Sequence, residues 1–225
     1  MRHWNKLGEA EIPGTDQQLI LFQGKDDFFI KLSGGYELMS SRKHASEDAL
    51  GRLPCKRLKN TANARVLIGG LGMGFTLAAV LAELGNQAEV TVAELIPEVV
   101  EWNRGPLGVK SGVPLDDPRT HVHIGDVADL LEKSHARFDV IALDVDNGPS
   151  GLTDDANDWL YTMPGIVAAC RALTKNGILA YWSANPDRAF RDRLKSCGLK
   201  VEELKVFAHG NKGARHIIWL ASTLS

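Results

Sequence analysis

A chain of 225 residues, 44% of them hydrophobic and 24% charged, has ordinary globular composition and is long enough to bury a core without disulfides or metals. Its 26 basic and 28 acidic side chains leave a net charge of -2. That balance excludes the strongly basic surface that a nucleic-acid or anionic-membrane partner requires.

The chain begins as β structure. Gln18–Gln23, Asp27–Leu32 and Tyr36–Ser40 are short apolar-rich runs, separated by Gly24-Lys25-Asp26 and Ser33-Gly34-Gly35. Tight turns between them predict a three-stranded meander. Ser41–Leu53 then reads as a helix, with Ser41 as its cap and Ala45, Ala49 and Leu50 on one face. Together, residues 1–60 are expected to form a small N-terminal β subdomain with a linking helix.

From Arg65 the pattern alternates. Strands are predicted at 65–69, 88–93, 120–124, 138–143 and 177–182, and helices at 74–84, 97–104, 126–132, 164–173 and 187–196. The strands are continuous apolar runs, as buried parallel strands are. Alternation of this kind means βαβ units with right-handed crossovers. Val201–Ala208 and Arg215–Ala221 read as two more strands with no helix between them, an antiparallel hairpin at the end of the sheet. Residues 61–225 are thus expected to form a doubly wound, mostly parallel seven-stranded α/β sheet of Rossmann-like type.

The cysteines Cys55, Cys170 and Cys197 lie far apart and show no CxxC or Cys/His spacing, so no disulfide framework or zinc site is expected. His121 and His123 alternate along one predicted strand without a third ligand, and no metal is expected there. The opening MRHWNKLGEAEIPG lacks a signal-peptide apolar run, and no stretch reaches the roughly 18 apolar residues of a membrane span. A cytoplasmic protein without a membrane partner is expected.

The strongest motif is Gly69-Gly70-Leu71-Gly72-Met73-Gly74, between a predicted strand and helix. Glycines there let the backbone turn tightly and approach a ligand. Glu94 follows about 20 positions later, where an acid accepts hydrogen bonds from a ribose diol. Dinucleotide loops read GxGxxG and cradle a pyrophosphate on a helix N-terminus. Here Gly70, Gly72 and Gly74 read GxGxG, with Phe75 after them. That spacing favours S-adenosylmethionine, which carries no phosphate, over NAD.

Gly125-Asp126 follows another strand. Asp126 either accepts from an adenine amino group or caps the next helix, and the two roles are compatible. Asp144-Val145-Asp146-Asn147-Gly148-Pro149 leaves the C-terminal end of a central strand, where open α/β sheets place reacting groups. Loop 150–163, with Asp154, Asp155, Asp158, Trp159 and Tyr161, is either a lid that recognises a cation or a solvated acidic loop. His44 and Arg42 lie beside the helix that precedes the glycine strand, and His44 is a candidate on the substrate side.

These segments resemble one family in chain order. RVLIGGLGMGFTLAAVL is similar to its glycine motif, VTVAELIPEVVEWNR to its ribose-binding strand and helix, HVHIGDVADLL to its adenine-binding turn and FDVIALDVDNGPSGL to its catalytic aspartate segment. From about Leu38 to Leu179 the chain resembles the spermidine synthase (polyamine aminopropyltransferase) family, within the class I methyltransferase fold. The resemblance implies that Asp144 is catalytic and that polyamine chemistry is in reach. The sequence departs from the family at four places. Met73 stands where the family carries an aspartate for the amine of decarboxylated S-adenosylmethionine. The catalytic segment reads Asp144-x-Asp146-Asn147 rather than Asp-x-x-Asp. The family's substrate-side tyrosine gives way to the neighbourhood of His44–Glu47, and Leu38 replaces a glutamine.

A sulfonium donor leaves as a neutral thioether, so the chemical demand falls on the acceptor. An amine has a pKa of about 10 and arrives protonated. A carboxylate beside it binds the ammonium and helps remove the proton. Asp144 is the candidate for that role, with Asp146 as second acid or anchor. The expected partner is a small-molecule amine, with a homodimer left open. The apolar Met73 tilts the reading towards intact S-adenosylmethionine as donor. Aminopropyl transfer from the decarboxylated form is the alternative, and a non-catalytic nucleoside-binding protein is a third reading.

Overall fold

The computed structural model describes residues 4–144, 159–210 and 212–223. It holds two sheets. The N-terminal one is antiparallel, in the order β1 (Asn5–Glu11), β2 (Gln18–Gln23), β3 (Phe28–Leu32), β4 (Glu37–Ser40). The expected meander has three strands and the observed sheet four. β1 is an edge strand whose residues are mostly exposed, so NKLGEAE carries no apolar run to betray it. The helix that follows, α1 (Ala45–Cys55), starts four residues later than expected. Ser41 does not cap it: the Ser41 hydroxyl instead accepts the backbone N–H of Phe28 at 3.0 Å and ties β4 to β3.

The larger sheet contains β5 (Arg65–Gly69), β6 (Glu89–Glu94), β7 (Thr120–Ile124), β8 (Phe138–Leu143), β9 (Leu173–Ser183), β10 (Leu199–His209) and β11 (Lys212–Thr223). Its order is β10-β11-β9-β8-β5-β6-β7. β5 through β9 pair in parallel, whereas β11 runs antiparallel to both β9 and β10, as the terminal hairpin predicted. The chain reverses direction across the sheet beside β5, between β6 and β8, which is where such folds bind ligands.

Helices cover both faces. α2 (Phe75–Glu83) and α3 (Pro97–Arg104) pack on one, with α1 beyond them over β8, β9 and β11. α4 (Val127–Lys133), α5 (Met163–Ala172) and α6 (Arg188–Ser196) pack on the other. β5 shows why its sequence is an unbroken apolar run. Val66 and Ile68 face the first layer, Leu67 faces the second, and none of the three is exposed. The N-terminal sheet joins the first layer's core through Leu19, Leu21, Phe28 and Ile30. Among the described residues, no helix is long and apolar enough to cross a membrane.

Candidate active site

The glycine loop leaves β5 in a conformation that side chains resist. Gly70, Gly72 and Gly74 have φ of 87°, 52° and 81°. A Cβ on Gly74 would sit 2.9 Å from Ser111 Oγ and 3.0 Å from Asn103 Oδ1. Glycine is therefore required there on two counts. Gly69 is packed rather than bent, since a Cβ would meet Leu143 Cδ2 at 2.7 Å.

Glu94 ends β6 beneath this loop. Its Oε2 accepts the N–H of Leu71 and its Oε1 the N–H of Ile96, each at 2.9 Å. Burial raises its pKa, and backbone N–H groups from Ile96, Leu71, Gly72 and Leu95 oppose that rise. The carboxylate thus holds the loop in shape, and any bond to a ribose would be added to those bonds. Gly125 closes the neighbouring turn with its N–H on Glu94 O at 2.9 Å. Asp126 caps α4, accepting from Ala128 N at 2.8 Å.

A cavity of about 710 Å³ opens beside the loop, lined by Leu71, Gly72, Met73, Phe75 and Thr76. Asp144 and Glu47 line it as well. Asp144 follows β8, its N–H bonded to Gly69 O at 2.8 Å. Its Oδ2 accepts the Thr76 hydroxyl at 2.9 Å. Glu47 comes from the first turn of α1, and Gly51 sets its approach. A Cβ at Gly51 would come within 2.6 Å of Thr76 O and 2.9 Å of Ala79 Cβ, so α1 lies directly on α2. One turn earlier, that contact leaves Glu47 facing Asp144.

Protein encloses both carboxyl groups except where they meet the cavity. Burial raises the pKa of each well above the usual carboxylate range, and for Glu47 the charge of Asp144 adds to the rise. The Ser46 hydroxyl donates to Glu47 Oε2 at 2.5 Å and the Thr76 hydroxyl donates to Asp144, and both bonds pull the other way. Two carboxyl groups whose pKa values, about 7 and about 6, let them ionise near neutrality in a ligand-sized cavity are suited to bind an ammonium and exchange its proton. Glu47 escaped the sequence reading because a glutamate in a helix's first turn is ordinarily a partner for the helix dipole.

The other candidates fall in different places. Asp146, Asn147, Gly148 and Pro149 lie outside the described residues, as do Asp154, Asp155 and Asp158. Tyr161, in the loop that reads as either a lid or a solvated acidic loop, is 3% exposed and packs at 5.6 Å from the Tyr181 ring and 5.2 Å from that of Phe190. Trp159 starts the same short turn and packs on that core, away from the cavity. The apolar bulk of both rings is used in packing. His44 stacks on Phe75 at 4.0 Å and bonds Asp48 Oδ2 through Nδ1 at 2.9 Å, which raises its pKa. It braces a cavity residue and does not line the cavity itself. Met73 is 4% exposed and lines the cavity beside Glu47.

Comparison with known proteins agrees with this fold. Residues 43–189 match the spermine/spermidine synthase domain. A spermine synthase of Arabidopsis thaliana is 26% identical over 193 residues, covering 78% of this chain and 50% of its own. A polyamine aminopropyltransferase of Mycobacterium tuberculosis is 25% identical over 173 residues, covering 76% and 31%. The chain thus spans half or less of the length of these relatives. The structure of a spermidine synthase from Thermotoga maritima superposes with a TM-score of 0.77 at 20% identity, covering 97% of this chain and 72% of that one. A spermidine synthase in complex with the transition-state analogue AdoDATO gives 0.76 at 21% identity, with the same coverage.

Proposed function

We propose, because this chain belongs to the spermine/spermidine synthase family, that its cavity binds decarboxylated S-adenosylmethionine and passes the aminopropyl group to the nitrogen of a small-molecule amine. The observation that carries this reading is the pair Glu47 and Asp144, two acids on the wall of one cavity with the glycine loop. The expectation of intact S-adenosylmethionine is not supported. It rested on a glycine loop that offers no acid to the donor's amine, but α1 supplies that acid in Glu47. A donor carboxylate within about 5 Å of either acid would meet a repulsion of about 3 kcal/mol at an effective dielectric constant of about 20. The decarboxylated donor brings an ammonium instead, as does the acceptor. The structural neighbour bound to the transition-state analogue AdoDATO fits the same chemistry.

The sulfonium supplies an activated carbon whose departure leaves a neutral thioether. Asp144 and Glu47 bind the acceptor ammonium, orient its nitrogen and take its proton. Glu94, Gly70, Gly72, Gly74, Gly125 and Asp126 hold the nucleoside end at the sheet edge. Mass analysis of products tests this. An aminopropylated amine with methylthioadenosine, formed from the decarboxylated donor, supports the reading. A methylated amine formed from intact S-adenosylmethionine replaces it, and no product from either donor overturns it in favour of a binding protein.

A further inference from the structure

Beyond Glu47 the polar contacts continue in one direction. Ser46 is wholly buried, yet its hydroxyl has two partners. It lies 2.5 Å from Glu47 Oε2 and 2.9 Å from Nδ1 of His216, on β11. His216 lines the same cavity and meets the Trp182 ring edge-on at 4.7 Å. A line of hydrogen bonds thus runs from Glu47, which faces Asp144, through a single hydroxyl to an imidazole at another part of the cavity wall.

We propose that Ser46 and His216 form a relay that carries the acceptor's proton from the Glu47–Asp144 pair back to solvent. The proposal rests on the amine-alkylation reading of this site. Transfer to the amine releases one proton, which the carboxylate pair takes. Glu47 then gives its O–H proton to Ser46 Oγ as Ser46 gives its own to Nδ1 of His216. The imidazolium sheds one proton to water, so one proton enters and one leaves while only O–H and N–H bonds change.

The surroundings suit an imidazole that receives and releases. Burial lowers the pKa of His216 and so favours the neutral ring, the form that can accept a proton. From β9 it faces the uncharged Trp182, and in the β10–β11 register it lies opposite Val206. The remaining charged or titratable wall residues are Tyr36, Glu37, Arg42, Lys43, His209 and Lys212. Arg42 pairs with Asp27, Lys43 with Glu37 at 3.1 Å, and His209 Nδ1 contacts Arg42 O at 2.8 Å. Ser46 is the only group among the described residues that joins the carboxylates to an imidazole on this wall.

The test has one arm without turnover and one with it. In protein with isotope-labelled histidine, NMR titration follows the His216 ring, assigned by its loss in H216Q. The relay predicts that E47Q and S46A each lower the His216 midpoint by roughly half a pH unit or more, since each disconnects the ring from an acid. An identical midpoint in wild type and E47Q overturns the relay whether or not any amine is turned over. With an acceptor in hand, H216A and S46A are each expected to lower kcat roughly tenfold with KM little changed. Added imidazole should restore H216A, and S46T should restore S46A. A normal kcat in H216A, or a loss that imidazole does not relieve, also overturns it. Failure to turn over any amine, with the coupling intact, counts against the alkylation reading instead.

Discussion

Two sets of acids lie along the same sheet edge and are treated in opposite ways. Around the glycine loop, Glu94 takes the N–H groups of Leu71 and Ile96, and Asp126 takes that of Ala128. Each carboxylate there replaces a backbone partner that the chain lacks at a strand or helix end, and so contributes stability. Around the cavity, Glu47 and Asp144 face each other, with the Ser46 hydroxyl donating to one and the Thr76 hydroxyl to the other. Burial lifts both pKa values there, and the charge of Asp144 adds to the rise at Glu47. The first set holds the binding surface, whereas the second gives up stability for reactivity.

Substitutions that separate the two sets follow, from the largest effect to the smallest. Asp144→Asn keeps the shape and removes the charge. Turnover should fall roughly 100-fold or more while nucleoside affinity, read by calorimetry, survives. Near-normal turnover would reduce Asp144 to a loop support. Glu94→Ala should cost about 2–3 kcal/mol of stability in denaturant unfolding, since it strands two buried N–H groups, and should weaken nucleoside binding. A stable variant with full affinity would remove the structural role assigned to the loop acid.

Glu47→Gln should act in the opposite direction. The folded-state pKa of Glu47 is raised, so its protonated form is favoured by folding at low pH. That advantage disappears as pH rises through the folded pKa, where a charge must be held against burial and against Asp144. Glutamine avoids that cost. Thermal unfolding should show a gain of about 1 kcal/mol at pH 8, equivalent to about 2–4 °C for a chain of this size, shrinking towards zero at pH 5. A gain that is the same at both pH values would argue against a buried charge. Asp126→Ala should cost about 1 kcal/mol or less in denaturant unfolding, from a lost helix cap.

The legible parts of the molecule are those where one physical cause dominates. β5, β8 and α3 fall on the predicted residues because both faces of a central parallel strand, and the buried stripe of a helix, leave apolar patterns in the sequence. The terminal hairpin was legible because no helical pattern separates its strands. β1 was not, since an exposed edge strand owes its pairing to the backbone. On the site side, glycine spacing and a strand-end aspartate announce Gly70, Gly72, Gly74 and Asp144. Glu47 does not announce itself. It reaches the cavity from a helix 97 residues before Asp144 only because Gly51 lets α1 lie against α2. Tyr161 shows the reverse error, a polar-tipped ring near a ligand edge that the core absorbs.

The most direct test is calorimetry of decarboxylated and intact S-adenosylmethionine against wild type and Glu47→Gln. Acidic cavity walls predict that wild type prefers the decarboxylated donor by roughly tenfold or more, which is about 1.4 kcal/mol. The preference should shrink in the variant as the intact donor gains. Equal affinities in wild type, or a preference unchanged by removing the charge of Glu47, would contradict the claim that these two carboxylates select the donor.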